Sequence, residues 1–204
     1  MVNCKKNTKV SFLEFLKIWC DVQGISLPLH HKKIAQWLEE IFYSDKKKGL
    51  LLAFRSSGKS TVVGLFCSWL LYINPNVRIL VLAADTVLAK KMVRNIKRIV
   101  EIHPMLEDIK PKKKQEWASG SFTVERDLAL RDPSVMAVGL LCNSTGSRAD
   151  VIICDDVEVP KNCDTYQKRC DLREKLLELN FILVPNGMQI FIGTPHTFDT
   201  IYKV

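Results

Sequence analysis

Gly49-Leu50-Leu51-Leu52-Ala53-Phe54-Arg55-Ser56-Ser57-Gly58-Lys59-Ser60-Thr61 decides the fold of this chain. The leucines read as a short buried strand, Ala53 to Ser57 as a turn, and Gly58-Lys59-Ser60-Thr61 as the opening of a helix. That order brings several backbone N–H groups to one helix N-terminus, where orphan donors and the helix dipole favour negative charge. A side chain at Gly58 would block the approach of a phosphate chain. Lys59 would neutralise β- and γ-phosphates, and the Ser60 hydroxyl would hold Mg²⁺. The pattern departs from GxxxxGK[ST] only at its first position, Ala53, so it is a variant Walker A loop. The candidate nucleotide-binding residues are Ala53, Phe54, Arg55, Ser56, Ser57, Gly58, Lys59, Ser60 and Thr61. The competing reading is a tight strand-to-helix turn with no ligand.

Outward from this loop, three more apolar runs read as strands. Arg78 to Ala83 is nearly continuously apolar, as a strand buried on both faces of a parallel sheet should be. Val151-Ile152-Ile153-Cys154 ends in Asp155-Asp156, and Met188 to Ile192, after a turn at Pro185-Asn186-Gly187, ends in Gly193-Thr194-Pro195. Helical spacing lies between them. Ser11 and Glu14 make a capping-box pattern for an amphipathic helix to about Cys20, and a second helix carries Ile34, Trp37, Leu38, Ile41 and Phe42. The helix after Lys59 should stop before Pro75, which disfavours helical geometry at Asn74. Asp85 or Thr86 should cap a helix with Leu88, Met92, Ile96 and Ile99 inward and Lys90, Lys91, Arg94, Lys97 and Arg98 on its other side. Asp164 should cap another that runs to about Asn180. The expected fold is an α/β, ASCE-type P-loop NTPase with a parallel central sheet flanked by helices. The β-like pieces between Trp117 and Leu141 are expected to form a small antiparallel insertion.

A chain of 204 residues can bury one sizeable domain. We expect an N-terminal helix and linker over 1–27 and the NTPase domain over 28–204. The net charge of +8 suits a polyanionic partner, with nucleic acid the favoured one. The seven cysteines contain no CxxC pair and read as reduced core thiols of a cytoplasmic protein. The basic N-terminus leads into an amphipathic segment and not an apolar signal core. The longest apolar stretch, Val62 to Ile73, is too short for a bilayer, so no membrane association is expected.

In a parallel α/β sheet the ligand site lies beyond the strand carboxyl ends, and every motif above falls at that edge. Asp155 has the placement of a Walker B carboxylate that holds Mg²⁺ through water. Asp156 or Glu158 could then orient the attacking water as general base. Thr194 could sense the γ-phosphate. Arg55 in cis, or Arg148 from a neighbouring subunit, could stabilise transition-state charge. His31 could meet the adenine edge.

AFRSSGKST, ILVLAADTVLAKKMV, STGSRADVIICDDVE and IFIGTPHT together resemble the ATPase domain of tailed-phage large terminase subunits, nearest the podophage branch. The resemblance covers about residues 28 to 203. It implies ATP and Mg²⁺ as cofactors, Lys59 and Ser60 as their ligands, Arg55 as the loop arginine, Asp155 as the Walker B aspartate and Thr194 in the coupling motif. His31 falls near the family's adenine-contacting residue, usually glutamine. The family often has Asp-Glu where this chain has Asp155-Asp156, which leaves the base open between Asp156 and Glu158. The resemblance further implies non-specific duplex DNA, a portal protein and a small terminase subunit as partners, and a homo-oligomeric ring. The family's RNase H-like nuclease is not expected here, because the chain stops at Val204. The alternatives are a helicase-like NTPase and an inactive truncated remnant that binds DNA.

Overall fold

The computed structural model describes residues 10–111, 117–142, 146–194 and 199–202. Among them are β1 (Lys48–Leu52), β2 (Ile79–Ala83), β3 (Ser121–Phe122), β4 (Val135–Gly139), β5 (Ala149–Asp155) and β6 (Leu183–Gly193). The helices are α1 (Phe12–Gln23), α2 (Leu29–Tyr43), α3 (Lys59–Ile73), α4 (Thr86–Ile102), α5 (Pro160–Cys163) and α6 (Tyr166–Leu177). The strands form one sheet in the order β1-β6-β5-β2-β4-β3. Every pairing is parallel except β3 with β4.

Period-2 alternation along each buried strand divides the core between the two faces of the sheet. Ile79, Val81, Val151, Ile153, Ile190 and Ile192 face one side, with the buried faces of α1 to α4. Leu80, Leu82, Ile152 and Cys154 face the other, with Leu179, Ile182 and Tyr202. The helix that opens at Lys59 is the centre of the first side. α3 buries Val62, Val63, Leu65, Phe66, Cys67, Trp69, Leu70 and Leu71, so it is apolar nearly all round, as a helix enclosed by sheet and other helices should be. Burying each of its large side chains contributes about 1.5–3 kcal/mol.

α1 is fastened to that helix. Ser11 and Glu14 form the expected reciprocal capping box, and the Phe12 ring lies 5.2 Å from Phe66 and 5.6 Å from Trp69. His103, fully buried beyond α4, stacks on Phe15 at 3.7 Å and donates from Nε2 to the Phe15 carbonyl. α1 therefore shares the main core.

Three sequence expectations are corrected. The pieces between Trp117 and Leu141 do pair antiparallel, Ser121–Phe122 with Val135–Gly139, but they are not set apart as an insertion, because Val135–Gly139 also joins the main sheet parallel to β2. A short apolar strand has the same texture whichever way its neighbour runs, so the pattern could not show that it joins the parallel sheet. Pro185-Asn186-Gly187 does not reverse the chain. β6 passes through it as a bulge, with Asn186 at φ 62°, while its register against β5 shifts between Ala149 and Val151. α6 is capped by Thr165, not Asp164, and beyond Leu177 it continues as a 3-10 turn over Glu178–Phe181, so the helical segment ends close to where the sequence suggests. The cap of α4 is Asp85, which accepts from the Leu88 N–H at 2.8 Å.

Candidate nucleotide site at the strand carboxyl ends

β1, β6 and β5 are neighbours, and their registers bring Leu52 level with Gly193 and Asp155 level with Ile192. At a spacing of about 4.8 Å per strand, the ends of β1 and β5 are on the order of 10 Å apart. The phosphate loop, Thr194 and Asp155-Asp156 therefore emerge side by side. The Ala53 N–H donates to the Gly193 carbonyl at 3.4 Å, and the Asp156 N–H to the Ile192 carbonyl at 2.8 Å.

Gly58, at φ 75°, is the hinge between loop and helix, and Ser56 and Asp156 also have positive φ. Non-glycine residues in this region carry strain, and such residues cluster at functional sites. The Gly58 carbonyl accepts from the Thr61 and Val62 N–H groups. The amides of Gly58, Lys59 and Ser60 find no acceptor among the described residues. Three donors at the positive end of a buried fifteen-residue helix are what an anion requires.

Lys59 is buried, 8% exposed. Its ammonium donates to Thr194 Oγ1 at 3.3 Å and lies 3.7 Å from Asp156 Oδ1, while Thr194 Oγ1 donates to the Ala53 carbonyl at 3.1 Å. Asp155 is half-buried, but its Oδ1 is fully buried with no hydrogen-bond partner. Burial first, and then the Asp156 charge, push its carboxyl up to about 7, against the pull of Lys59. An orphaned buried carboxylate oxygen next to an ammonium and three free amides suits a hard cation that brings its own water and phosphate oxygens. Ser60 and Asp155 therefore fit Mg²⁺ by donor chemistry. Among the described residues no group of three or more His, Cys, Asp or Glu converges on a metal.

The remaining candidates separate. Arg55 is exposed at the loop and has no ion-pair partner among the described residues, which leaves it free to turn inward. Arg148 precedes Ala149, so it sits at the opposite end of β5 from Asp155, donating to the Phe181 carbonyl at 2.8 Å. Within one chain it is out of the site. Glu158 does not match the general-base expectation. It is fully buried and accepts from Thr200 Oγ1 at 2.8 and 2.9 Å and from the Ile201 N–H at 2.7 Å, so its carboxylate anchors the segment after β6. Asp156 is left as the acidic group at the strand end beside Lys59.

His31 lies on the loop itself. Its Nε2 is 2.8 Å from the Ser57 carbonyl oxygen, and His30, which sequence reasoning passed over, reaches the same oxygen at 2.9 Å. The only signal for His30 was its place beside His31 at a helix start. The basic face of α4 is partly spent: Lys97 donates to the Trp117 carbonyl at 3.0 Å and lies over the Trp117 ring, while Lys90, Lys91, Arg94 and Arg98 are exposed. Lys112 to Lys114 and Pro195 lie outside the described residues. Of the described cysteines, Cys20, Cys67, Cys154 and Cys163 are buried free thiols and Cys142 is exposed. No helix among the described residues is long and apolar enough to cross a membrane.

No family model matches the chain. Over 198 residues it is 35% identical to the large terminase subunit of Enterobacteria phage T3, a match that takes in 96% of this chain and 33% of that protein. The chain thus spans about a third of that relative's length. Among solved structures it is similar to the large terminase of bacteriophage HK97, with a TM-score of 0.52 and 14% identity over 83% of this chain and 33% of that one. It is similar as well to a variant of S. cerevisiae Dbp5 bound to Gle1 and IP6, with a TM-score of 0.55 and 12% identity over 90% of this chain and 45% of that one. At such identities the two structures speak to the fold alone.

Proposed function

We propose, on the strength of its 35% identity with the large terminase subunit of Enterobacteria phage T3, that the chain is the ATP-hydrolysing motor region of a DNA-packaging enzyme. The observation that carries the reading is the meeting of Lys59, Thr194 and Asp156 around the orphaned Asp155 carboxylate, beside three unspent amides.

In this reading the N–H groups of Gly58, Lys59 and Ser60 bind the β- and γ-phosphate oxygens, and the Lys59 ammonium leaves Thr194 and Asp156 to join them. Ser60 and Asp155 would hold Mg²⁺, which when bound would neutralise charge on the phosphates. Asp156 orients a water and takes its proton as the water oxygen bonds to the γ-phosphorus. The bond from that phosphorus to the bridging oxygen breaks, and its electron pair leaves with ADP. Arg55 turns inward to stabilise the charge that develops, and a neighbouring subunit's Arg148 is the trans alternative. Thr194 reports the loss of the γ-phosphate along β6, because its hydroxyl bridges Lys59 and the Ala53 carbonyl. His31 has its Nε2 engaged on Ser57, so it is a weaker candidate for the adenine edge.

The partners follow the family. Duplex DNA would be gripped mainly through phosphates, with the exposed lysines and arginines of α4 as one candidate surface, and binding would weaken with salt. A portal protein, a small terminase subunit and a ring of like chains, in the host cytoplasm, complete the proposal. No nuclease activity is assigned to these residues. The test is Mg²⁺-dependent ATP turnover with and without duplex DNA, for the chain and for Lys59→Ala. DNA-stimulated turnover that Lys59→Ala abolishes supports the reading, and turnover that survives the substitution rules the site out.

A further inference from the structure

We propose that His30 and His31 act together as positioning residues that hold the phosphate loop in its anion-binding conformation. The proposal rests on the reading of this loop as a triphosphate site.

The fold delivers the two rings to the loop by simple geometry. α2 ends at Tyr43 and β1 begins at Lys48, so the helix must run back along the strand. Trp37 and Ile41 lie directly on β1, where a Cβ at Gly49 would fall 2.4 Å from Ile41 Cδ1 and 2.9 Å from Trp37 Cζ2. A fifteen-residue helix is about 22 Å long and a five-residue strand about 16 Å, so the N-terminus of α2 overhangs the loop that follows β1. His30 and His31 stand in its first turn.

Both rings meet one acceptor. A carbonyl oxygen cannot donate, so each Nε2 carries a hydrogen, and a carbonyl oxygen with two lone pairs can accept from both rings, which lie 2.9 and 2.8 Å from the Ser57 oxygen. The rings stand edge to face with centroids 4.5 Å apart, which lets both converge. In a planar trans peptide the C=O and the following N–H point in opposite directions. Holding the Ser57 oxygen against the histidines therefore aims the Gly58 N–H the other way, among the free amides that open α3. A rotation of this peptide would turn the oxygen toward the phosphates, where it repels them. His31 also backs the hinge sterically, because a Cβ at Gly58 would fall 2.5 Å from its Nε2.

Inorganic tripolyphosphate separates this role from contact with the adenine, since it has phosphates and no base. Its binding, and that of ATP and GTP, should be measured by calorimetry for the chain, His30→Ala, His31→Ala, the double variant, His31→Gln and Lys59→Ala. His30 is exposed and His31 only half-buried, so these variants should fold, and circular dichroism confirms it. We expect each alanine to weaken tripolyphosphate and ATP alike by about five- to tenfold, the double variant to lose more, and His31→Gln, which keeps an N–H donor, to recover part of the loss. Lys59→Ala should abolish tripolyphosphate binding. Unchanged tripolyphosphate affinity in the double variant, with binding still lost in Lys59→Ala, overturns the histidine proposal alone. Loss of ATP-over-GTP preference in His31→Ala with tripolyphosphate unaffected also overturns it, in favour of base contact. Binding that survives Lys59→Ala overturns the phosphate-site reading together with the proposal.

Discussion

The Lys59 ammonium donates to the Thr194 hydroxyl at 3.3 Å, across 135 residues of sequence, and so ties the first turn of α3 to the end of β6. Without a nucleotide this bond gives the lysine a partner in a buried position, where an unpaired ammonium would be costly. A γ-phosphate is a better partner. On the proposed function the bond would break on binding and re-form on release, and Thr194 would be the residue that feels the exchange.

Asp156 and Glu158 should separate cleanly as variants. Asp156→Asn is expected to lower turnover at least a hundredfold with ATP affinity and melting temperature near those of the parent, since its side chain is 41% exposed. Glu158→Gln should instead destabilise the fold by about 1–3 kcal/mol, because the carboxylate accepts from Thr200 and Ile201 in a fully buried site, while turnover persists below the melting transition. Single-turnover kinetics and thermal melts on the two proteins decide it. Loss of chemistry in a fully folded Glu158→Gln would reverse the assignment.

The Asp155 carboxyl predicts an unusual pH dependence. Its folded pKa of about 7 lies above the 3.8 of an ordinary aspartic acid, so between these values the folded protein binds more protons than the unfolded one. Stability from this group is therefore present at low pH and lost as pH rises through the window from about 4 to 7. Asp155→Asn should be more stable than the parent by roughly 1–4 kcal/mol at pH 8 and equal to it near pH 4, with hydrolysis abolished. Chemical denaturation at the two pH values without Mg²⁺ measures this, and equal stability at pH 8 would contradict it.

Gly58→Ala meets two penalties. The backbone at φ 75° costs about 1 kcal/mol or more for any residue with a Cβ, and the added carbon collides with His31. The combination with His31→Ala should recover the steric part and leave the backbone part, giving a non-additive cycle in thermal melts. Strict additivity would show that the ring does not press on the hinge.

Most of the sheet could be read from the chain, because β1, β2, β5 and the last half of β6 are apolar runs that stop abruptly in glycine, small or acidic residues, and a buried parallel strand leaves that trace. The candidate site could be placed from them, since the runs that carry Gly58-Lys59, Asp155 and Thr194 end at one edge of the sheet. What stayed hidden depends on direction or on partners. The sense of Val135–Gly139 is set by its hydrogen bonds to β2. Glu158 stands three residues after Asp155, and its bonds to Thr200 and Ile201 leave no trace in the sequence pattern. Likewise His30 acquires meaning from the Ser57 carbonyl twenty-seven residues away.

A crystal structure of the chain with Mg²⁺ and a slowly hydrolysed ATP analogue tests the central claim most directly. The account predicts β- and γ-phosphates against the amides of Gly58, Lys59 and Ser60, the cation between Ser60 and Asp155, and the Lys59 ammonium moved from Thr194 to the phosphates. Phosphates bound elsewhere, or a cation that leaves the Asp155 carboxylate unpartnered, would contradict it.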